Sequence, residues 1–506
     1  MLRPIRRPAL AMRRRRAPSL PLSTPSLLDS ITRTTAGLRR HSRGVRAAGL
    51  LLALGAGWAG TAAAQADSLA ARGSAAEDGY AAFYARHPWV PRLLGAQFTY
   101  IGQDLRPFAA AYSGPNSLTD RGDFEGTHTY GVYVGASPLR TLQVYVDAEM
   151  ARGAGVGHAV GLAGLNNGDV IRQGSIDLGM GPYLARAFLR YVLPLGRGRD
   201  TVERGLDAMP GPEPTTRLQV ELGKFALSDY LDLNRYANST RTQFENWGLW
   251  NNTAWDFAAD TRGYTNGLLV GYVSPAWMVQ LSGTQMPTFA NGNIFDGDLR
   301  HAYAINGELT VRPQGPSPFG TAVRLLAYLN RGRMGIYRAA IDRAHGAFPS
   351  IVADDRKGRA KYGFGLNVEQ PLADSGNTGL FARLGWNDGR TEDFVFTEAD
   401  RHASLGVQLA GAGWRRPSDR LGLAVLVHGL SGDHAAYLAA GGLGFLLGDR
   451  RLDYGPEEIL EAYYRFVVPR LAWCDLSPDY QFVDHPGYNR ARGPAHVIGI
   501  RLHLHY

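Results

Sequence analysis

Cysteine is nearly absent: Cys474 is the only one in 506 residues. That rules out an intrachain disulfide framework, a CxxC pair and cysteine-based zinc spacing. A single free thiol is more often a small packing residue than a nucleophile. Catalytic signatures are also missing, with no GxSxG, HExxH, phosphate-loop or GxGxxG pattern in a strand-to-helix setting. No catalytic residue, metal ligand or cofactor is assigned on this basis. His428 and Ser431 lie near a strand end, and chance explains their proximity better than a hydrolytic pair. Helical periodicity is scarce, and beyond the leader no run of 18 or more apolar residues could form a spanning helix.

Acidic residues are lacking in one region only. Residues 1–64 hold twelve Arg and the single acid Asp29, which leaves 42 basic and 44 acidic residues in the rest. The basic isoelectric point therefore belongs to the leader and gives no reason to expect a nucleic-acid partner. Within that leader, Arg39, Arg40, Arg43 and Arg46 precede an apolar run from Ala47 to Gly60, followed by small residues to Ala66. This order predicts a secretory signal peptide, cleaved after Ala64 or Ala66. The expected organisation is an N-terminal extension and signal at 1–64, a short periplasmic segment at 65–91, and one large domain at 92–506.

What that domain contains is alternation. Segments of about ten residues alternate apolar and polar at 93–103, 127–136, 140–149, 182–193, 215–225, 262–273, 276–285, 301–312, 321–331, 359–370, 378–387, 401–411, 419–429, 456–467, 470–480 and 494–506. Each is near the length that crosses a bilayer as a tilted strand. The apolar run 437–447 is left out because Gly441, Gly442 and Gly444 interrupt it. Connections alternate long and short, the even ones being tight turns except for the longer junction 194–214. The pattern predicts an all-β, transmembrane antiparallel barrel of about 16 strands, with long extracellular loops and short periplasmic turns.

The last strand shows two faces. Ile498, Ile500, Leu502, Leu504 and Tyr506 share one, and Val497, Gly499, Arg501, His503 and His505 the other. Lipid outside and water inside would suit this division. Strand 140–149 sets Leu142, Val144, Val146 and Ala148 against Gln143, Tyr145, Asp147 and Glu149, and 182–193 sets Leu184, Arg186, Phe188 and Arg190 on one face. The expected lumen charges are then Glu149, Arg186, Arg190, Arg217, Glu221 and Arg501. They either build a transverse field across a pore or brace the wall as ion pairs.

One connection is unusually long. Residues 226–261 carry Trp247, Trp250 and Trp255 with several Asn, Asp and Arg. Left in water, this loop would expose a large apolar patch. It is expected to fold into the lumen and set a constriction. Flat aromatic faces beside planar hydrogen-bonding groups suit a polyhydroxylated ligand.

Several stretches resemble a known family: LGAQFTYIGQDLRPFAAAYSGPNSL at 94–118, VDAEMARGAGVG at 146–157, GLAGLNNGDVIR at 161–172, the central loop, DYGPEEILEAYY at 453–464, and the segment from Leu476 to Tyr506. Together they resemble the carbohydrate-selective porins, the OprB type, of Gram-negative outer membranes. The resemblance implies a 16-stranded barrel, passive and selective diffusion of carbohydrates, and an outer-membrane location. Its implied partners are the sugar, outer-membrane lipid and the outer-membrane assembly machinery; a homo-oligomer is left open. The family pattern points to Glu149, Arg152, Arg172, Lys224, Asp229, Asp232, Asn234, Arg241, Asn246, Trp247, Asp256 and Arg262 as channel residues, to which the strand pattern adds Arg186. Asn238, Ser239 and Thr240 stand where the family more often has a His-Asp-Pro-like run, so sugar preference does not carry over. A soluble secreted glycosidase and a closed adhesin barrel remain the alternatives, the first because carboxylate separation is invisible in sequence.

Overall fold

In the computed structural model, residues 86–87, 89–170, 181–205, 208–313 and 320–506 are described. The expected signal peptide and most of segment 65–91 lie outside them. Sixteen antiparallel strands close into a barrel. They are β1 (Leu93–Leu105), β2 (Asp123–Leu139), β3 (Leu142–Gly153), β4 (Tyr183–Pro194), β7 (Arg217–Phe225), β8 (Thr265–Val273), β9 (Trp277–Gln285) and β10 (Tyr303–Val311), followed by β11 (Ala322–Met334), β12 (Arg356–Ala373), β13 (Thr378–Asn387), β14 (Arg401–Gly411), β15 (Arg416–Gly429), β16 (Glu457–Val467), β17 (Cys474–Asp484) and β18 (Ala495–His505). Neighbours in sequence are neighbours in the wall, and β1 closes on β18 in the register Gln97 to His505 through Leu105 to Val497.

The remaining two strands, β5 (Arg199–Val202) and β6 (Gly211–Pro214), form a separate hairpin. It accounts for the one even junction that is too long for a tight turn. All sixteen expected wall strands are present. The largest boundary errors are four residues, at the start of β2, the end of β3 and both ends of β17, where Leu471 and Trp473 belong to the tight turn before the strand.

The two faces follow side-chain chemistry. Val146, Leu222, Leu281, Leu405 and Ile498 are exposed on the outer wall, whereas Thr99, Gln103, Asn306, Gln481 and Arg501 are buried within. A period of two puts every second residue on the lumen side. The apolar face outward is the reverse of a soluble barrel and suits lipid. Exposed aromatic residues mark the short-turn rim: Trp277, Trp414, Trp473 and Tyr506. Such rings favour the membrane interface. The predicted faces of β18 and β3 hold throughout. In β4, however, a register shift opposite Asp147 and Ala148 turns Leu184 outward, while Arg186 and Phe188 stay inside. A bulge adds one residue to one strand and reverses the alternation beyond it.

The long connections fold inward. The run omitted from the strand pattern forms part of one of them: helix α3 (Gly432–Ala439) leads into it, with Tyr437, Leu438, Leu446 and Leu447 buried. Before it in the chain come α1 (Trp247–Trp250), a single turn in the central loop, and α2 (Tyr337–Ala344) in the loop after β11.

Candidate functional site

The central connection between β7 and β8 crosses the lumen, as its composition predicts. Its far side is tied to the wall from β10 round to β18. Asp232 faces Arg383 of β13 at 3.0 Å, and its backbone N–H donates to Glu308 of β10 at 2.7 Å. Arg383 also donates to the carbonyls of Leu249 and Ala237 at 2.9 and 2.7 Å. Glu461 of β16 accepts the N–H groups of Glu245 and Asn246, and Arg501 of β18 donates to the carbonyls of Thr240 and Gln243. Trp255 donates its indole N–H to Asn306 of β10 at 2.9 Å. Two lumen-side glycines of β13 permit this approach. A Cβ at Gly379 would lie 2.2 Å from the Tyr236 hydroxyl, and one at Gly385 2.0 Å from the Asn252 side-chain oxygen.

On the side facing β2, β3, β4 and β8 the loop stands off the wall and leaves a cavity of about 230 Å³. It is lined by Glu149, Arg186, Asp229, Arg241, Trp247 and Arg262 from the predicted set. Arg186 forks onto Asp229, with Nε and Nη2 at 2.7 and 2.9 Å from its two oxygens, and lies 3.5 Å from Asp147. A planar guanidinium matches a carboxylate in this two-bond geometry. Arg241 donates to Asp169 at 3.0 Å and reaches Glu149 at 3.4 Å. Glu149 also accepts from the hydroxyls of Tyr264, Tyr183 and Tyr133 at 2.5, 3.3 and 3.2 Å. The Arg262 guanidinium lies 4.4 Å over the Tyr183 ring, within cation–π range. Burial works against a charge on Arg241, but Asp169 and Glu149 outweigh it and hold its pKa above the ordinary guanidinium value. Burial first, and then Glu149, push the Tyr264 phenol well above its ordinary value. It therefore stays a neutral donor.

The ionic lining is balanced. Three guanidiniums, of Arg186, Arg241 and Arg262, face three carboxylates, of Glu149, Asp169 and Asp229. The aromatic part is Trp247, Trp250, Tyr183, Tyr264 and Phe396. Trp247 and Trp250 have ring centres 4.2 Å apart, and Phe396 lies 4.7 Å from Trp247.

The other predicted channel residues are placed elsewhere. Asn234 bonds Asn367 and its own turn, and Asn246 caps α1 by accepting from the N–H of Gly248. Asp256 accepts the N–H groups of Phe394 and Val395, fastening the central loop to the connection after β13. With Asp232, these are buried anchors rather than cavity walls, because each finds a partner on the wall or a neighbouring loop. Arg152 is exposed at the loop end of β3, on the outward side of the alternation from Glu149. Lys224 donates to the Leu184 carbonyl and lies 3.7 Å from Asp260, outside the cavity. Arg172 lies outside the described residues. Of the expected lumen charges, Arg190 pairs with Glu221 and Glu213, and Arg217 with Glu213. They brace the wall near the short-turn end.

Asp169 stands in the stretch 161–172 with nothing in its spacing to mark it as a site residue. It is the main partner of Arg241. Tyr183 opens β4 and Tyr264 immediately precedes β8, and the alternation of neither segment sets them apart. Phe396 comes from a different loop, and no spacing links it to the site.

Residues 211–506 match the carbohydrate-selective porin family, OprB. OprB of Pseudomonas putida in its high-pH structure is similar in fold: 15% identity, TM-score 0.58, covering 82% of this chain and 94% of that one. The low-pH structure of the same porin gives 14% identity and TM-score 0.42 over 81% and 92%. An anion-selective porin from Comamonas acidovorans gives 10% and 0.42 over 82% and 99%. No curated protein sequence matches the chain.

Proposed function

We propose that this chain, which belongs to the OprB family of carbohydrate-selective porins, passes neutral sugars through the cavity beside its central loop. Family and fold are those of an outer-membrane channel rather than an enzyme. The finer reading, sugar rather than ion, is supported above all by the balance of the lining. Three guanidiniums and three carboxylates present donors and acceptors in quantity with no net charge among them. A net charge of either sign would favour counter-ions. Balanced pairs favour a neutral solute with many hydroxyls, and the tryptophan and tyrosine faces suit the apolar side of a sugar ring.

Arg186, Arg241 and Arg262 are the donors in this reading, and Glu149, Asp169 and Asp229 the acceptors. Trp247 and Trp250 supply the platform. Arg186 and Arg241 already hold carboxylate partners here, so a sugar exchanges one set of hydrogen bonds for another and binds weakly. Weak binding is what a channel needs, because the solute must leave. At about 230 Å³ the cavity takes a small molecule rather than a chain of residues.

The test is conductance of the purified protein in a planar bilayer, with glucose, a disaccharide or no sugar added. Sugar should block ion current in a saturable way, and Trp250→Ala should weaken the block while leaving the open conductance the same or higher. Current unaffected by any sugar, together with marked cation or anion selectivity, would favour a general ion pore.

A further inference from the structure

We propose that Asp393, Asp400 and His434 form a binding site for a divalent metal ion of the zinc class, where the loop after β13 meets α3. Their ligand atoms lie within 4.8 Å of one another. His434 Nδ1 is 3.1 Å from Oδ2 of Asp400, with which it shares a hydrogen bond, and 3.9 Å from Oδ2 of Asp393. Tetrahedral bonds of about 2.0–2.1 Å place neighbouring donors roughly 3.3 Å apart. The two distances from His434 bracket that value.

The second observation is unmet hydrogen-bonding capacity. All three residues are at most 2% exposed. Asp393 Oδ2 and Asp400 Oδ1 are buried and accept no hydrogen bond. A carboxylate oxygen in a dry interior needs a donor or a cation in front of it. Among the described residues the one ammonium nearby is already shared: Lys361 contacts the other oxygen of Asp393 and lies 3.9 Å from Asp256. The carboxylates of Asp256, Asp393 and Asp400 thus face a single lysine. A divalent ion beside a neutral imidazole cancels the remaining two negative charges.

The donor set points to the class of metal. An imidazole with two carboxylates suits zinc and its transition-metal neighbours, whereas calcium and magnesium prefer oxygen alone. His434 is held for the purpose. Its ring stacks on Tyr337, with centres 4.2 Å apart and planes 13° apart. Ser431 ties the two sides of the site together: its oxygen accepts from the His434 N–H at 3.1 Å and its own N–H donates to Asp400 at 2.7 Å. The ligands are 7 and 34 residues apart in the chain, which is why no spacing signature revealed them. An ion here fixes the loop that carries Phe396, and so the cavity wall.

The experiment uses the whole mature protein in detergent, treated with EDTA, dialysed, and titrated with zinc chloride by calorimetry. The expected result is one saturable site and a higher Tm by tryptophan fluorescence. His434→Gln and Asp400→Asn should each weaken binding at least tenfold. His434→Gln leaves the Lys361–Asp393 pair intact, so the barrel should still run heat-modifiable on gels. Zinc-edge X-ray absorption of the wild type, which does not depend on any variant folding, should show nitrogen and oxygen neighbours without sulfur. Absence of saturable binding overturns the proposal, as do wild-type affinity in both variants or a sulfur neighbour from Cys474. So does a Tm that does not respond to zinc.

Discussion

The two sides of the central loop use the same residue types for opposite ends. Toward β10–β18, Asp232 and Arg383 meet with side chains 4% and 0% exposed. Toward β3 and β4, Asp229 and Arg186 meet with side chains 26% and 12% exposed. Both contacts are arginine–aspartate pairs at hydrogen-bond distance. One is sealed and holds the loop; the other borders open space and can be reached by a solute. Role follows from access to water, not from residue identity. This is why half of a list of channel residues drawn from one loop became anchors.

The comparison breaks most sharply at the sealed pair. Asp232→Ala leaves Arg383 charged and without its carboxylate in the interior. Removing one partner of a buried pair costs about 3–5 kcal/mol. Urea unfolding should show a loss of that order, and the freed loop should raise single-channel conductance and abolish sugar block. An unchanged midpoint would mean that the loop is held by its other contacts alone.

At the open pair the same change in charge should act on function. Asp229→Asn leaves Arg186 with Asp147 and removes a partly exposed carboxylate. Stability should move by less than about 1 kcal/mol. The lining then carries one excess positive charge, so reversal potentials in a salt gradient should shift toward anions by a few-fold in permeability ratio. No shift would place the ion path elsewhere.

The smallest expected effect separates the sides by pH. Burial first, and then Asp479, push Glu245 of the loop well above the usual carboxylate range, against Arg501 and Gln103. Its folded pKa is raised, so its ionisation opposes folding at and above that pKa, and the penalty disappears below the unfolded value. Tm should therefore rise as pH falls from 8 toward 5, and Glu245→Gln should flatten that slope. An identical slope in the variant would assign the effect to other groups.

The wall was legible because a strand that faces lipid and water writes its environment at period two, and because alternating loop lengths tell the rims apart. Where the backbone breaks that period the signal fails, as at Leu184, whose bulge leaves no mark in composition. The inward course of residues 226–261 was legible from three tryptophans that had to be covered. Which of its polar residues would be sealed was not, because that depends on what the opposite wall offers: Arg383 for Asp232, and Asn367 for Asn234. Those partners are more than a hundred residues away in the chain.

The small hairpin of β5 and β6 bears on how the barrel closes. Beside it, Arg204 lies 5.0 Å over the ring of Tyr506, the last residue, and donates to the carbonyl of Leu94 in the first strand. Met209, also between the two short strands, belongs to the same buried cluster as Leu93 and Tyr133. The junction between β4 and β7 thus touches both sides of the seam where the chain's first and last strands meet. A final strand paired two residues out of step would keep its faces correct but carry Tyr506 nearly 7 Å along the seam, beyond the reach of Arg204. Alternation alone cannot detect an even slip. The contacts of Arg204 with Tyr506 and Leu94 therefore report the register in which the cylinder has closed.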